Sequence, residues 1–179
     1  MDEPTMDEYL DMIVSQPIRT IERAGTMLCL GIGEKITVID MTGKKVEKST
    51  YALHIQSVWK IVNRERKQIL FASSDCFEPS KKISSQPDFD WEKFEWDHQG
   101  NNLLDEKSQI WLQEAMPVYV EDYKTNMCGD LKLYLSNDDI LEVFVNTSTY
   151  TKSWILFKEN DDSPQLVVTG VGYEFGKYE

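Results

Sequence analysis

The 179 residues contain no Cys-x-x-Cys pair, no long apolar run and only two histidines, and each shortage removes a class of function. Cys29, Cys76 and Cys128 lie far apart, so neither a zinc ribbon nor a thioredoxin-type redox pair is encoded locally. The expectation is buried free thiols, because a reduced cysteine packs as a small apolar group. His54 and His98 lack the H-x-x-x-H or H-x-E neighbours that a metal centre uses, so no metal and no cofactor is expected. No stretch approaches the roughly 20 apolar residues that cross a bilayer. The start, Met1-Asp2-Glu3-Pro4, is acidic where a secretory signal is basic, which reads as cytoplasmic and deprives the glycosylation triplet Asn146-Thr147-Ser148 of meaning. Gly31-x-Gly33-x-Lys35 precedes a strand pattern and lacks the Gly-Lys-Ser/Thr element of a phosphate loop. Ser73-Ser74-Asp75-Cys76 offers hydroxyls and a thiol, but no G-x-S-x-G elbow and no flanking base. No catalytic residue is assigned, and a non-enzymatic reading is favoured.

What is present is the composition of a globular protein. Apolar residues make up 41% and charged residues 28%, a balance that fits neither disorder nor a membrane protein. The length suits one core, so residues 1–179 read as a single domain. The net charge of −12 is unevenly spread. Residues 1–73 hold ten acids and ten bases, whereas residues 74–122 hold twelve acids against four bases. Such a field repels a nucleic-acid backbone and attracts a basic protein.

Thr5-Met6-Asp7-Glu8 has the form of a capping box, and Met6, Tyr9, Leu10, Ile13 and Val14 follow at helical spacing until Pro17. From about residue 18 the period becomes two. A hairpin about Gly31-Ile32-Gly33-Glu34 is expected, then a turn at Met41-Thr42-Gly43-Lys44 and a long strand over Tyr51 to Val62. Asn102 caps a helix over Leu103 to Met116, with Leu104, Ser108, Trp111, Leu112 and Ala115 on one face. Five strand-like stretches between Val118 and Thr169 complete the chain. The fold class expected is α+β, mostly antiparallel β-sheet with two helices. An echo links Leu28/Leu30, Trp59 and Ile69-Leu70-Phe71 to Leu131/Leu133, Trp154 and Leu166-Val167-Val168. It raises the reading of two related β units, 18–73 and 118–172, joined by the acidic loop and helix 74–117.

Residues 74–102 follow no period, and so long an irregular connection marks a functional or disordered segment. Within it, Phe89-Asp90-Trp91-Glu92-Lys93-Phe94-Glu95-Trp96-Asp97 alternates rings with acids. Rigid aromatics anchor a partner and acids steer a basic one, so Asp75, Asp90, Trp91, Glu95, Trp96, Asp97, His98 and Asn101 are the candidate binding residues. The same rings can also pack a flap onto the sheet. The rival expectation is a polar pocket for a small ligand, or for catalysis, formed by His54 and Gln56 with Asp75, Asp97 and Asn101. A divalent cation among Asp88, Asp90, Asp97, His98 and Asp105 matches no known ligand spacing.

From Tyr51 to Gly172 the chain resembles a widespread family of small uncharacterised bacterial proteins. The resemblance rests on Leu53-His54-Ile55-Gln56-x-x-Trp59-x-Ile61, Ser74-Asp75, Trp96-Asp97-x-x-Gly100-Asn101 with Asp105, and Gly129-Asp130-Leu131-x-Leu133. Leu141-Glu142-Val143-Phe144, Trp154-x-Leu156-Phe157 and Val167-Val168-Thr169-Gly170 extend it. Ser57-Val58, Asp130 and Val145 depart from the pattern, which frequently has Cys-Pro, a second glycine and a proline at those places. The resemblance implies a bacterial origin and a single folded unit, supplies no catalytic residue, and associates some members with secreted toxins. A toxin-neutralising immunity protein is the functional expectation that results.

Overall fold

Alternation of apolar and polar side chains produces eleven strands among residues 4–177, the residues that the computed structural model describes. The acidic start Met1-Asp2-Glu3 lies outside them. The first group comprises β1 (Pro17–Ala24), β2 (Met27–Ile39), β3 (Lys45–Ile55), β4 (Val58–Asn63) and β5 (Gln68–Ala72). The second comprises β6 (Val118–Thr125), β7 (Leu131–Leu135), β8 (Asp139–Phe144), β9 (Lys152–Lys158), β10 (Gln165–Thr169) and β11 (Gly172–Gly176). All neighbours pair antiparallel, in the order β11-β10-β9-β3-β2-β1-β6-β7-β8-β4-β5.

That order has a regularity. With β11 set aside, exchanging β1–β5 for β6–β10 gives the same order read backwards. Each three-stranded meander is completed by the other group's hairpin: β9 and β10 extend from β3, and β4 and β5 extend from β8. Trp59 and Trp154 occupy matching places, opposite Val143 and Ile55 respectively. The groups also join between β1 and β6, where Ile18 pairs with Val118. One buried cluster runs through both, including Leu30, Leu53, Trp59, Leu133, Leu141 and Trp154. The Trp154 indole N–H donates to the carbonyl of Gly129 in the β6–β7 turn at 2.8 Å, tying β9 to the opposite group.

Helix α1 (Met6–Asp11) begins with the expected capping box. Helix α3 (Leu103–Ala115) is capped by Asn102, whose side-chain oxygen accepts from Asp105 N at 2.8 Å. It buries Leu104, Ser108, Trp111 and Leu112, and ends at Met116, which is extended as a residue before proline must be. The expected total of two helices is corrected by a third, α2 (Lys81–Ser84), a single turn capped by Ser80. Four residues carry too little periodicity to be seen in sequence. Among the described residues no helix is long and apolar enough to cross a membrane.

Two strand boundaries differ from expectation. No hairpin forms at Gly31-Ile32-Gly33-Glu34; β2 continues through it, with a register shift between Ile32 and Lys35 and Gly33 at φ +96°. The left-handed residue makes a bulge here, because β3 still supplies partners on both sides of it. The reversal comes at Asp40–Lys44, where the Asp40 carboxylate accepts from the backbone N–H groups of Thr42 at 2.8 Å and Lys44 at 3.0 Å. The long strand over Tyr51 to Val62 is broken at Gln56-Ser57, because β3 and β4 belong to different parts of the sheet. The inward positions Leu53, Ile55, Trp59 and Ile61 keep their alternation across the break, which hid it.

Candidate protein-binding surface

Residues 73–102 form an ordered flap whose two ends meet. After β5, a 3-10 turn over Ser73–Phe77 is held by the Asp75 carboxylate, which accepts from Ala72 N at 3.1 Å, and Cys76 is buried beneath it. The ends are closed by Ser80 N to Asn101 O at 2.8 Å and Leu103 N to Glu78 O at 2.7 Å. The Glu106 carboxylate accepts from Lys81 N at 2.7 Å. A second 3-10 turn, Trp91–Lys93, is capped by Asp90, which accepts from Glu92 N. Gly100, at φ +88°, turns the chain back into α3 with its N–H on Asp105.

Arg23, at the end of β1, is the anchor of the flap. Its Nε and Nη2 donate to the two oxygens of Asp105 at 2.7 and 2.9 Å. Nη1 donates to the Asp97 carboxylate at 3.0 Å and to Gly25 O at 3.1 Å, while Nη2 also reaches Asp97 O at 3.1 Å. All five N–H donors are therefore used. The hydrogen bond it donates to Asp105 is the main cause that raises the Arg23 pKa above its ordinary value, against the opposing effect of burial. Asn102 completes the clamp by donating to Trp96 O at 2.8 Å.

The rings divide into two sets. Trp96 turns inward, packs against the core, and meets Phe77 edge-on at 5.0 Å. Phe89, Trp91 and Phe94 form a separate triad with centroids 5.3 to 6.2 Å apart, each pair edge-to-face, in which Phe89 and Phe94 are half-buried. Such contacts fix ring orientation, and Trp91 remains 61% exposed. Asp88, Glu92 and Glu95, close to it in sequence, are exposed, with Asp90 half-exposed and paired to Lys93 at 3.3 Å.

The structure thus brings Asp90, Trp91, Glu95, Trp96, Asp97, His98 and Asn101 into one flap and puts Asp75 at its base. Their roles differ. Asp75 is a cap facing Lys107 at 3.9 Å, Asn101 donates to Glu95 O at 3.3 Å, Asp97 is bound by Arg23, and His98 lies at the surface. Asp105, one of the twelve acids of residues 74–122, is buried. Phe89, Phe94 and Arg23 were not singled out in the sequence. Arg23 registered only in the neutral balance of residues 1–73, since its partners lie in distant sequence.

His54 and Gln56 are elsewhere. His54 lines a groove of about 590 Å³ on the outer face of β1, β2, β3 and β9, beside Cys29 and edge-on to Phe157 at 5.0 Å. Burial lowers its pKa. Asp75, Asp97 and Asn101 do not line this groove, and Gln56 turns to the Met27 sulfur at 3.6 Å. Burial first, and then Glu22, raise the Cys29 thiol pKa, the opposite of what a nucleophile needs. Among the described residues no group of three His, Cys, Asp or Glu could hold a metal ion. No family model, curated protein or solved structure matches the chain.

Proposed function

We propose that this chain is a non-enzymatic protein-binding module that presents the flap, with Trp91 at its centre, to a basic partner protein. The observation that carries the proposal is one exposed indole, in edge-to-face contact with Phe89 and Phe94 and flanked in sequence by Asp88, Asp90, Glu92 and Glu95, on a segment clamped by Arg23. Anchoring it beforehand lowers the ordering cost of binding, and the acids steer a cationic surface onto it. Toxin neutralisation by occlusion is the biological role we propose, in keeping with the family resemblance. The test is a pull-down from the native host at low and high salt with the natural chain and with Trp91→Ala. A basic protein recovered by the natural chain at low salt and lost from the variant supports the reading. Equal recovery by both chains refutes it.

We further propose that β1–β5 and β6–β10 are two related β units. The reversible strand order and the matched Trp59 and Trp154 support this, as does the flap's position as an insertion after β5.

A further inference from the structure

The outer face of β4, β8, β7 and β6, with the turn after β4, carries a row of cations in a chain that is acidic as a whole. Antiparallel register sets Lys60, Glu142, Lys132 and Lys124 in one row across the four strands. Glu142 serves two cations at once, Lys132 at 2.9 Å and Lys60 at 3.3 Å. Arg64 and Lys124 face the Tyr134 ring at 5.9 and 5.7 Å, and Lys60 lies over Phe144 at 5.4 Å. Asp122, opposite Tyr134, and the exposed Glu121 at the register shift beside it are further carboxylates of this face. With Arg64 from the turn after β4, four cations stand against three acids, beside Val58 and the β5 residue Ile69, both about half exposed, and the part-buried Val62 and Ile140. Rings beneath the cations hold their heads in place.

Such a face fits an acidic segment that also carries an aromatic anchor, and this chain contains one. The flap offers Asp88, Asp90, Glu92 and Glu95 within four residues of the exposed Trp91, against one exposed cation there, Lys93, which pairs with Asp90. Within one molecule the two do not meet: among the described residues no flap carboxylate pairs with Lys60, Arg64, Lys124 or Lys132, and Arg23 ties the flap to β1. We propose that the basic outer face of β4-β8-β7-β6 docks the acidic flap of a second copy of this chain. The inference rests on the reading of the flap as a docking element and adds an occupant for it. Two copies that exchange flaps reciprocally close a two-fold dimer, in which the flap is withheld from other basic partners until one competes for it.

The experiment is sedimentation velocity on the full chain across concentration, at about 0.02 M and about 0.5 M salt. The expected result is an average mass that climbs toward two chains at low salt and returns to one at high salt. Lys124→Glu, which breaks no ion pair, and the flap variant Glu92→Lys should each weaken association at least about tenfold, the 1.4 kcal/mol step of a lost charge contact. An equimolar mixture of the two variants should recover association, because one face of each kind is matched again. Far-UV circular dichroism checks that each variant is folded. A chain that stays monomeric at every concentration overturns the proposal, and so does assembly that ignores both variants. Binding of a single-stranded oligothymidine of about 20 nucleotides to a monomer, lost in Lys124→Glu, overturns it in favour of nucleic acid on the same face. Recovery of a basic partner through Trp91 is read separately, since Lys124→Glu leaves the flap untouched.

Discussion

Arg23 on β1 and Asp105 on α3 form a doubly hydrogen-bonded ion pair, at 2.7 and 2.9 Å, across 82 residues of sequence. Both side chains are nearly closed to solvent, at 3% and 6% exposure. Removing one member of such a pair leaves the other charge buried and unmatched. Arg23→Ala is therefore expected to cost about 3–5 kcal/mol in urea unfolding. Hydrogen exchange at Gly100 N–H, whose acceptor is Asp105, should quicken in the same variant. An unchanged midpoint would show that the flap is held by its rings instead.

A second buried carboxylate is satisfied without any cation. Asp139 accepts from the Trp111 indole at 2.7 Å and from the side-chain amides of Asn63 at 2.7 Å and Asn137 at 2.9 Å. Asp139→Ala strands three donors, so a loss of about 2–4 kcal/mol is expected. Near-ultraviolet circular dichroism from Trp111 should change with it, as the indole loses its fixed partner.

The Lys60–Glu142–Lys132 row gives stability a pH dependence of known sign. Burial alone would raise the Glu142 pKa, but hydrogen bonds from Lys132 and Lys60 hold it below the ordinary glutamate value. A depressed carboxyl contributes stability above its unfolded pKa, and that contribution disappears as pH falls through the folded value. Glu142→Gln should therefore be less stable than the natural chain at neutral pH, by up to about 1 kcal/mol. The difference should begin to shrink near the unfolded glutamate value of about 4.3 and vanish once the pH has fallen through the lower folded value. Thermal melts from neutral to acid pH measure it, and a gap that widens on acidification would contradict the sign.

Thiol accessibility separates the three cysteines. Cys128 is exposed, Cys29 is half-buried with its pKa raised by burial and Glu22, and Cys76 is fully buried with its pKa raised by burial. Ellman's reagent should titrate Cys128 quickly and Cys29 slowly. Cys76 should react only on unfolding, and its fast reaction in the native chain would mean that the turn over Ser73–Phe77 opens.

Trp91 is far more exposed than the buried Trp59, Trp111 and Trp154. In Trp91→Ala the red-shifted, acrylamide-quenchable part of the fluorescence should disappear, with a stability loss of about 1 kcal/mol as its edge-to-face contacts with Phe89 and Phe94 go. The surrounding acids make caesium a better quencher of this indole than iodide. Equal quenching by the two ions would remove the acidic setting proposed for it.

Local chemistry was readable in the sequence, and long-range pairing was not. The capping box at Thr5 and Glu8, the Asn102 cap and the buried face of α3 follow from spacing alone, and all three are present. The clustering of the flap's aromatics with its acids was legible too. Their division was not, because whether Trp96 turns inward depends on Phe77 and the core. Arg23 could not be matched to Asp97 and Asp105 without knowing that β1 ends beside the start of α3. The same limit concealed the break at Gln56-Ser57, where alternation continues although the chain changes neighbours.

The exchange of hairpins between the two strand groups bears on synthesis. When β3 leaves the ribosome its outer edge has no neighbour, since β9 is still about a hundred residues from being made. β4 and β5 emerge next and also wait, for β8. A nascent chain of this design carries bare strand edges through most of translation and cannot lock its first half early, so it depends on prompt completion or on a chaperone to escape aggregation.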